Sequence, residues 1–161
     1  MSEPADTPAI IRPARPDEVD LLVEMNAEYR AAEGHGADGD AEIAARQRAR
    51  AGFEPLLVDR THGGVWMVLD ETGAPIGYGI LAWSWSVEIG GPEAVLDELY
   101  VRRRSEGFGS RALEAIVAEA WAHRMLRVFM ETERANERAR SLYVRHGFSV
   151  DDSIWLSRLP D

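Results

Sequence analysis

Residues 102–110 read RRRSEGFGS, and this stretch decides the fold of the chain. It follows an alternating apolar segment, AVLDELYV, and precedes SRALEAIVAEAWAHRM, where apolar residues recur at helical spacing. The order strand, glycine loop, helix presents unpaired N–H groups and a partial positive charge at the start of the helix. Because Gly107 and Gly109 admit a close approach, the stretch predicts a phosphate or pyrophosphate site. A plain strand-to-helix turn with solvated arginines is the alternative.

Two familiar phosphate-binding loops do not fit this stretch. A dinucleotide fingerprint requires G-x-G-x-x-G, whereas the loop reads G-F-G-S-R-A. A Walker A loop requires a lysine, and all 18 basic residues of the chain are arginine. The chain also has no cysteine, which excludes thiolate metal sites and cysteine nucleophiles. The four histidines show no ligand spacing, so no metal site is predicted.

The composition predicts one cytoplasmic domain over residues 1–161. Hydrophobic residues make up 45% of the chain, no window is apolar enough to span a membrane, and the first residues lack the pattern of a signal peptide. The net charge of −10 argues against nucleic acid as a partner. It suits a cationic amine substrate, or it merely keeps the protein soluble.

Strands and amphipathic helices alternate along the chain. Residues 65–86 predict a hairpin, residues 94–101 a further strand, and residues 110–125 a helix. The segment NERARSLYVRHG predicts a short helix that begins at Asn136, and the residues after it predict one or two closing strands. Hairpins followed by strand–helix–strand units predict a mixed α/β sheet.

Two motifs resemble those of the GNAT superfamily of acyl-CoA-dependent N-acyltransferases. The loop resembles motif A, Q/R-x-x-G-x-G/A, at Arg104, Gly107 and Gly109. The segment NERARSLYVRHGF resembles motif B, N-x-x-A-x-x-L/F-Y-x-x-x-G-F. The resemblance covers residues 96–148 and implies a mostly antiparallel sheet, flanked by helices, with a central V-shaped splay that admits the pantetheine arm of coenzyme A.

The resemblance also implies acetyl-CoA as acyl donor. The loop amides would bind its pyrophosphate, the backbone of the preceding strand would pair with pantetheine, and Asn136 would contact pantetheine or only cap its helix. A carboxylate at Glu106 would weaken phosphate binding unless it points outward. The residues assigned to the cofactor are Leu99, Tyr100, Val101, Arg103, Arg104, Glu106, Gly107, Phe108, Gly109, Ser110, Asn136 and Tyr143.

The reaction implied is direct attack of an amine on the thioester, with both substrates held in one cleft. Tyr143 matches the motif-B tyrosine and would protonate the leaving sulfur; a core position is the alternative. Glu98 is favoured as the general base, and Asp97 is the second choice. The two cannot both line one pocket, because neighbours on a regular strand point to opposite faces. A charge pair with an arginine is the alternative for either. The N–H of Val101 would stabilise the developing oxyanion.

Acceptor residues are expected on the hairpin and on a first helix predicted within residues 15–36, at Glu28, Tyr29, Trp83 and Trp85. The tryptophans line a pocket, or they belong to the core or to a homodimer interface. The sequence thus predicts an acetyl-CoA-dependent N-acetyltransferase acting on an amine. The alternatives are a non-catalytic acyl-CoA-binding regulatory domain and a nucleotide-binding module.

Overall fold

The computed structural model describes residues 10–103 and 106–160, in two compact units. The first unit ends at Glu131 and the second begins at Thr132. The single domain expected over residues 1–161 stays a prediction. The elements follow in the order β1 Ile11–Pro13, a 3-10 turn Pro16–Glu18, α1 Val19–Ala32, α2 Gly39–Val58, β2 Gly63–Leu69, β3 Pro75–Ser86, β4 Gly91–Val101, α3 Phe108–Ala122, β5 Val128–Phe129 and α4 Glu137–Arg145.

The first unit is built on a five-stranded sheet in the order β1-β2-β3-β4-β5. The first four strands pair antiparallel, and β5 pairs parallel to β4. The β4–β5 pairing is limited to Ala94 with Val128 and Val95 with Phe129. The mixed, mostly antiparallel sheet predicted from the sequence is therefore confirmed, and β4 separates from β5 soon after its start.

Helices cover both faces of the sheet. Leu22, Met25 and Phe53 of α1 and α2 form one buried cluster with Tyr78 on β3. The opposite face packs against α3, which buries Phe108 at its first turn. Along β2, Val65, Met67 and Leu69 contact the first cluster while Val68 contacts the second, as alternation on a strand requires.

A β-bulge at Asp97 interrupts β4. Ile80 pairs with Glu98, and the next residue of β3, Leu81, pairs with Leu96. Ile80 and Leu81 point to opposite faces, and so do their partners. A regular strand would place Leu96 and Glu98 on one face, but the extra residue shifts the alternation by one and places them on opposite faces.

The second unit contains α4 and the residues that follow it. The predicted short helix is confirmed, with the side chain of Asn136 accepting a hydrogen bond from the Ala139 N–H at 3.1 Å. The predicted closing strands are not found, since residues 148–160 form no strand. Ile154, Trp155 and Leu156 are exposed there. A strand requires a neighbour for its ladder, and alternating apolar residues alone do not supply one.

Candidate active site

Glu98 is the centre of a hydrogen-bonded group on the face that packs against α1 and α2. Its half-buried carboxylate accepts a bond of 2.6 Å from the Tyr78 hydroxyl. The Asn26 amide donates to both carboxylate oxygens, at 3.1 and 3.3 Å. Both donors are neutral and belong to buried residues. Among the described residues no arginine bonds Glu98 directly, so its carboxylate is held by neutral donors alone.

The surroundings of Glu98 change its acidity. Burial raises the pKa of the Glu98 carboxyl, and the charge of Asp97 adds to that rise. Hydrogen bonds from Tyr78 and Asn26 and the charge of Arg30 oppose it. Burial and the neighbouring Glu98 charge also raise the pKa of Tyr78, so its phenol stays protonated and donates. A carboxylate with a raised pKa is a better proton acceptor near neutral pH.

Asp97 is the extra residue of the bulge and directly precedes Glu98. Its side chain reaches solvent, yet the protein atoms around it displace enough water to raise the pKa of its carboxyl. Within residues 10–103 and 106–160, no side chain forms an ion pair or hydrogen bond with it. Because the bulge breaks the strict alternation of faces at Asp97, the two carboxylates need not serve separate faces.

Asn26 and Tyr78 are site residues that the sequence reasoning missed. Asn26 follows Leu22 and Val23 at helical spacing, so the pattern of α1 already placed a polar side chain on its apolar face. A buried amide requires hydrogen-bond partners, and that requirement was the available signal. No comparable signal marked Tyr78, since an aromatic residue is ordinary in a strand.

The glycine loop leads into α3 as predicted. Gly107 has φ +81°, a left-handed conformation that favours glycine, and it caps the helix. The Arg111 N–H bonds the Gly107 carbonyl at 3.1 Å, so that bond begins the helical ladder. The N–H groups of Phe108, Gly109 and Ser110 precede this bond and lack helical partners. Arg104, assigned to the cofactor by its motif, lies outside the described residues, as does Ser105.

The two described arginines of the loop are held by carboxylates. Arg102 donates to both oxygens of Glu28, at 2.8 and 2.7 Å, and Tyr100 donates to the same carboxylate at 3.0 Å. These contacts lower the pKa of Glu28, with the Arg102 hydrogen bond contributing most. Glu28, which was expected to bind the acceptor, therefore links α1 to the end of β4.

Arg103 is also engaged within the protein. It bonds Glu106 on one side and Glu71 on the other, the latter at 2.9 Å, and its guanidinium lies over the Phe108 ring. Glu106 is thus paired with Arg103, which offsets the charge that an anion loop would otherwise repel.

One edge of β4 is open beyond the bulge. The Arg102 N–H bonds the Ile76 carbonyl of β3 at 2.8 Å. Because backbone groups alternate along a strand, those of Leu99 and Val101 point away from β3. On that edge β5 stops pairing at Val95, so the described part of the first unit offers these groups no strand partner.

The remaining acceptor candidates do not share one face of the sheet. Trp83 pairs with Ala94 and lies on the face that carries α3, where its ring packs against His123 at 5.1 Å. Trp85 is 71% exposed near the end of β3. Tyr29 packs on Tyr100 instead, with 6.0 Å between ring centroids, on the same face as Glu98. Their roles with substrate stay predictions.

Tyr143 and Asn136 belong to the second unit. Tyr143 is partly exposed on α4, and its ring contacts that of Phe148 at 5.7 Å. Asn136 caps the same helix, so its structural role is established and its cofactor role stays a prediction. In the described residues no three potential ligands gather as a metal site, and no helix there is long and apolar enough to cross a membrane.

Solved structures share this fold. An integron cassette protein, HFX_CASS3, from the mobile metagenome of Cole Harbour Salt Marsh is 24% identical, with a TM-score of 0.77 over 93% of this chain and 90% of its own. A protein from Arthrobacter sp. FB24 assigned to the acetyltransferases is 22% identical, with a TM-score of 0.77 over 98% and 100%. The ribosomal-protein-alanine N-acetyltransferase of Brucella melitensis biovar Abortus 2308 is 18% identical, with a TM-score of 0.69 over 94% and 100%. Such identities show a common fold.

Sequence comparison identifies the family. No curated protein matches the chain significantly. The model of the acetyltransferase (GNAT) family matches residues 23–148, which include the Asn26–Glu98 group, the glycine loop and α4. This match spans most of the 161 residues, and the chain therefore belongs to the GNAT family of acetyltransferases.

Proposed function

We propose that the protein is an N-acetyltransferase that moves an acetyl group from acetyl-CoA to an amine. The observation that carries this proposal is the Glu98 carboxylate, half-buried and held by two neutral donors in a protein of an acetyltransferase family. Acetyl-CoA supplies the activated acetyl thioester. The protein supplies a binding surface for the donor, a base for the amine and an acid for the departing thiolate.

The open edge of β4 and the start of α3 fit the donor. Leu99 and Val101 offer backbone groups that can pair with amides of an extended chain, as an added strand would. Three N–H groups at the start of α3 suit a pyrophosphate, and the first turn of that helix has no acidic residue to repel it. The described arginines act indirectly in this proposal, because both are held by carboxylates.

Glu98 would remove the proton that an amine loses on forming an amide. A protonated amine has no lone pair for attack, so a base near the nucleophile increases the reactive fraction. The raised pKa of Glu98 brings its basicity closer to neutral pH than that of an exposed glutamate. Asp97 beside it would attract the cationic form of the acceptor, in keeping with the net charge of −10.

Binding and turnover test this function directly. Acetyl-CoA is expected to raise the unfolding temperature, whereas ATP and NAD are not, because a ligand stabilises only the fold that binds it. A panel of mono-, di- and polyamines should then show acetyl-CoA-dependent release of free thiol. Stabilisation by acetyl-CoA without release of thiol with any amine would instead favour a non-catalytic acyl-CoA-binding domain. Equal stabilisation by ATP would favour a nucleotide-binding module.

Tyr143 is proposed as the acid that protonates the departing thiolate. Tyr143→Phe removes only the hydroxyl and should lower kcat by about 10²-fold, a typical contribution of acid catalysis. The KM for acetyl-CoA should stay close to that of the wild type. Phe148→Leu, which alters the ring that packs on Tyr143 but leaves the hydroxyl, is the control. Unchanged kcat in Tyr143→Phe across the pH range would remove the acid role.

The partners of this enzyme also stay proposals. We expect a small-molecule or protein amine as acceptor, no nucleic acid and no membrane partner, and a homodimer is consistent with exposed side chains such as Trp85. Size-exclusion chromatography with light scattering measures the oligomeric state.

A further inference from the structure

Asn26 joins the Glu98 carboxylate to a chain of charged groups between α1 and α2. Its side-chain oxygen accepts a bond from Arg30 at 3.2 Å, one helical turn further along α1. Its Nδ2 atom lies 3.1 and 3.3 Å from the two Glu98 oxygens and 3.3 Å from the Tyr78 hydroxyl. The residue is 7% exposed, so water contributes little to these contacts.

The neighbours of Asn26 allow its amide only one orientation. Arg30 can only donate a hydrogen bond, so the amide oxygen must face it. An ionised Glu98 can only accept, so the amide nitrogen must face the carboxylate. A rotation of the amide by 180° would set donor against donor and acceptor against acceptor. The two flanking charges therefore determine which group Asn26 presents to Glu98.

Arg30 is itself held by α2. Its two terminal nitrogens bond the two oxygens of Glu42 at 3.0 and 3.1 Å. Arg46 donates to the same carboxylate at 2.8 Å, one turn along α2. Bidentate pairing fixes the plane of a guanidinium as well as its position. The Arg30 Nε–H thus points at Asn26 because α2 holds the other end of the group.

We propose that Asn26 is a positioning residue for Glu98, with Arg30 and Glu42 fixing the amide that orients the carboxylate. This inference rests on the proposed function only in taking Glu98 as the base. Two donors on one carboxylate restrict its rotation and favour its charged form. Within residues 10–103 and 106–160, the charged and titratable groups that shift the pKa of Glu98 are Tyr78 from β3, Asp97 within β4 and Arg30 from α1, while Glu42 of α2 acts through Arg30.

Asn26→Asp and Asn26→Leu test the proposal by removing the donor at nearly constant volume. Titration of the Glu98 carboxyl is followed by NMR in protein with ¹³C-labelled glutamate, assigned by loss of the signal in Glu98→Gln. The midpoint should move up by about 1 pH unit in Asn26→Leu and further in Asn26→Asp, where a like charge faces Glu98. This readout does not require turnover.

Arg30→Gln and Arg50→Gln form a matched pair of control variants. Each removes an arginine that joins α1 to α2 through an ion pair, but the Arg50–Asp20 pair does not contact Asn26 or Glu98. The Glu98 midpoint should rise in Arg30→Gln and stay at the wild-type value in Arg50→Gln. Equal shifts in both would mean that the packing of the helices, and not the amide, determines the result.

The pH profile of kcat/KM separates orientation from folding. In Asn26→Leu, the acid limb of kcat/KM should move up with the Glu98 midpoint, so the loss is about tenfold greater below the shifted midpoint than above it, where only the misorientation of the carboxylate remains. A loss that is equal at every pH, or an unmoved Glu98 midpoint in both Asn26 variants, would overturn the proposal. If the midpoint shifts while the wild-type protein acetylates no amine, the proposed function fails and the positioning of Glu98 stands.

Discussion

Glu98→Gln is expected to lower kcat/KM by about 10²–10⁴-fold, the range that a general base contributes. Glutamine keeps the shape of the side chain, and its oxygen still accepts from Tyr78, but it takes up no proton. Acetyl-CoA affinity should change little. The measurement is thiol release at saturating acetyl-CoA across a range of amine concentrations and pH.

The role of Glu98 as a base also predicts the direction in which activity changes with pH. Activity should fall as pH falls through the raised pKa of Glu98, because the protonated carboxyl is no longer a base. Asp97→Asn is the matched control: removing the neighbouring like charge should move that acid limb to lower pH. Full activity in Glu98→Gln with loss in Asp97→Asn would assign the base to Asp97.

Stability should not fall together with activity in Glu98→Gln. A carboxyl whose pKa is raised on folding favours the folded state while protonated, and this contribution is lost as pH rises through its folded pKa. Replacing the charged form by a neutral amide should therefore leave the unfolding temperature at neutral pH unchanged or higher. A marked fall would identify Glu98 as a structural residue.

Gly77→Ala is expected to reduce the free energy of unfolding by about 3 kcal/mol or more. The added methyl group would meet backbone atoms, which cannot move aside as a flexible side chain can. A Cβ at this position would lie 2.1 Å from the Tyr100 carbonyl oxygen and 2.9 Å from the Val101 Cα. The β3–β4 pair would have to separate beside the open edge of β4. Urea denaturation measures the change.

Gly52→Ala is the control for this substitution. Gly52 lies in α2, and a Cβ there would have no neighbour within 4 Å. Alanine should raise the free energy of unfolding by about 0.5–1 kcal/mol, because glycine loses more conformational freedom in a helix. Similar stability in Gly77→Ala and Gly52→Ala would contradict the close contact between β3 and β4.

The fold was predictable from the sequence where neighbouring residues carry a regular pattern. The apolar spacing of α3 and the glycine that begins it predicted a strand–loop–helix unit, and the structure confirms it. The bulge was not predictable, since nothing in LDEL reveals which of two neighbouring residues lacks a partner. Register is a property of the strand pair, and only β3 shows which residue of β4 is extra.

The sequence predicted which kinds of residue form the candidate site better than it predicted their contacts. Glu98 was selected because a carboxylate on an apolar strand needs a partner, and the structure supplies Asn26, which is 72 positions away in sequence. The arginines of the loop were expected at phosphates, yet Arg102 pairs with Glu28 across 74 positions. Such partners depend on how α1 packs on the sheet, which spacing along the chain does not encode.

The bulge at Asp97 is an irregularity that is encoded in a single codon. On either side of it β3 and β4 pair normally, so a chain without that codon would retain the strand order and the face on which each side chain lies. The codon introduces a second carboxylate beside Glu98 and a bend just after β4 leaves β5. The acidic pair is therefore a heritable unit, which a single deletion would remove without altering the topology of the sheet.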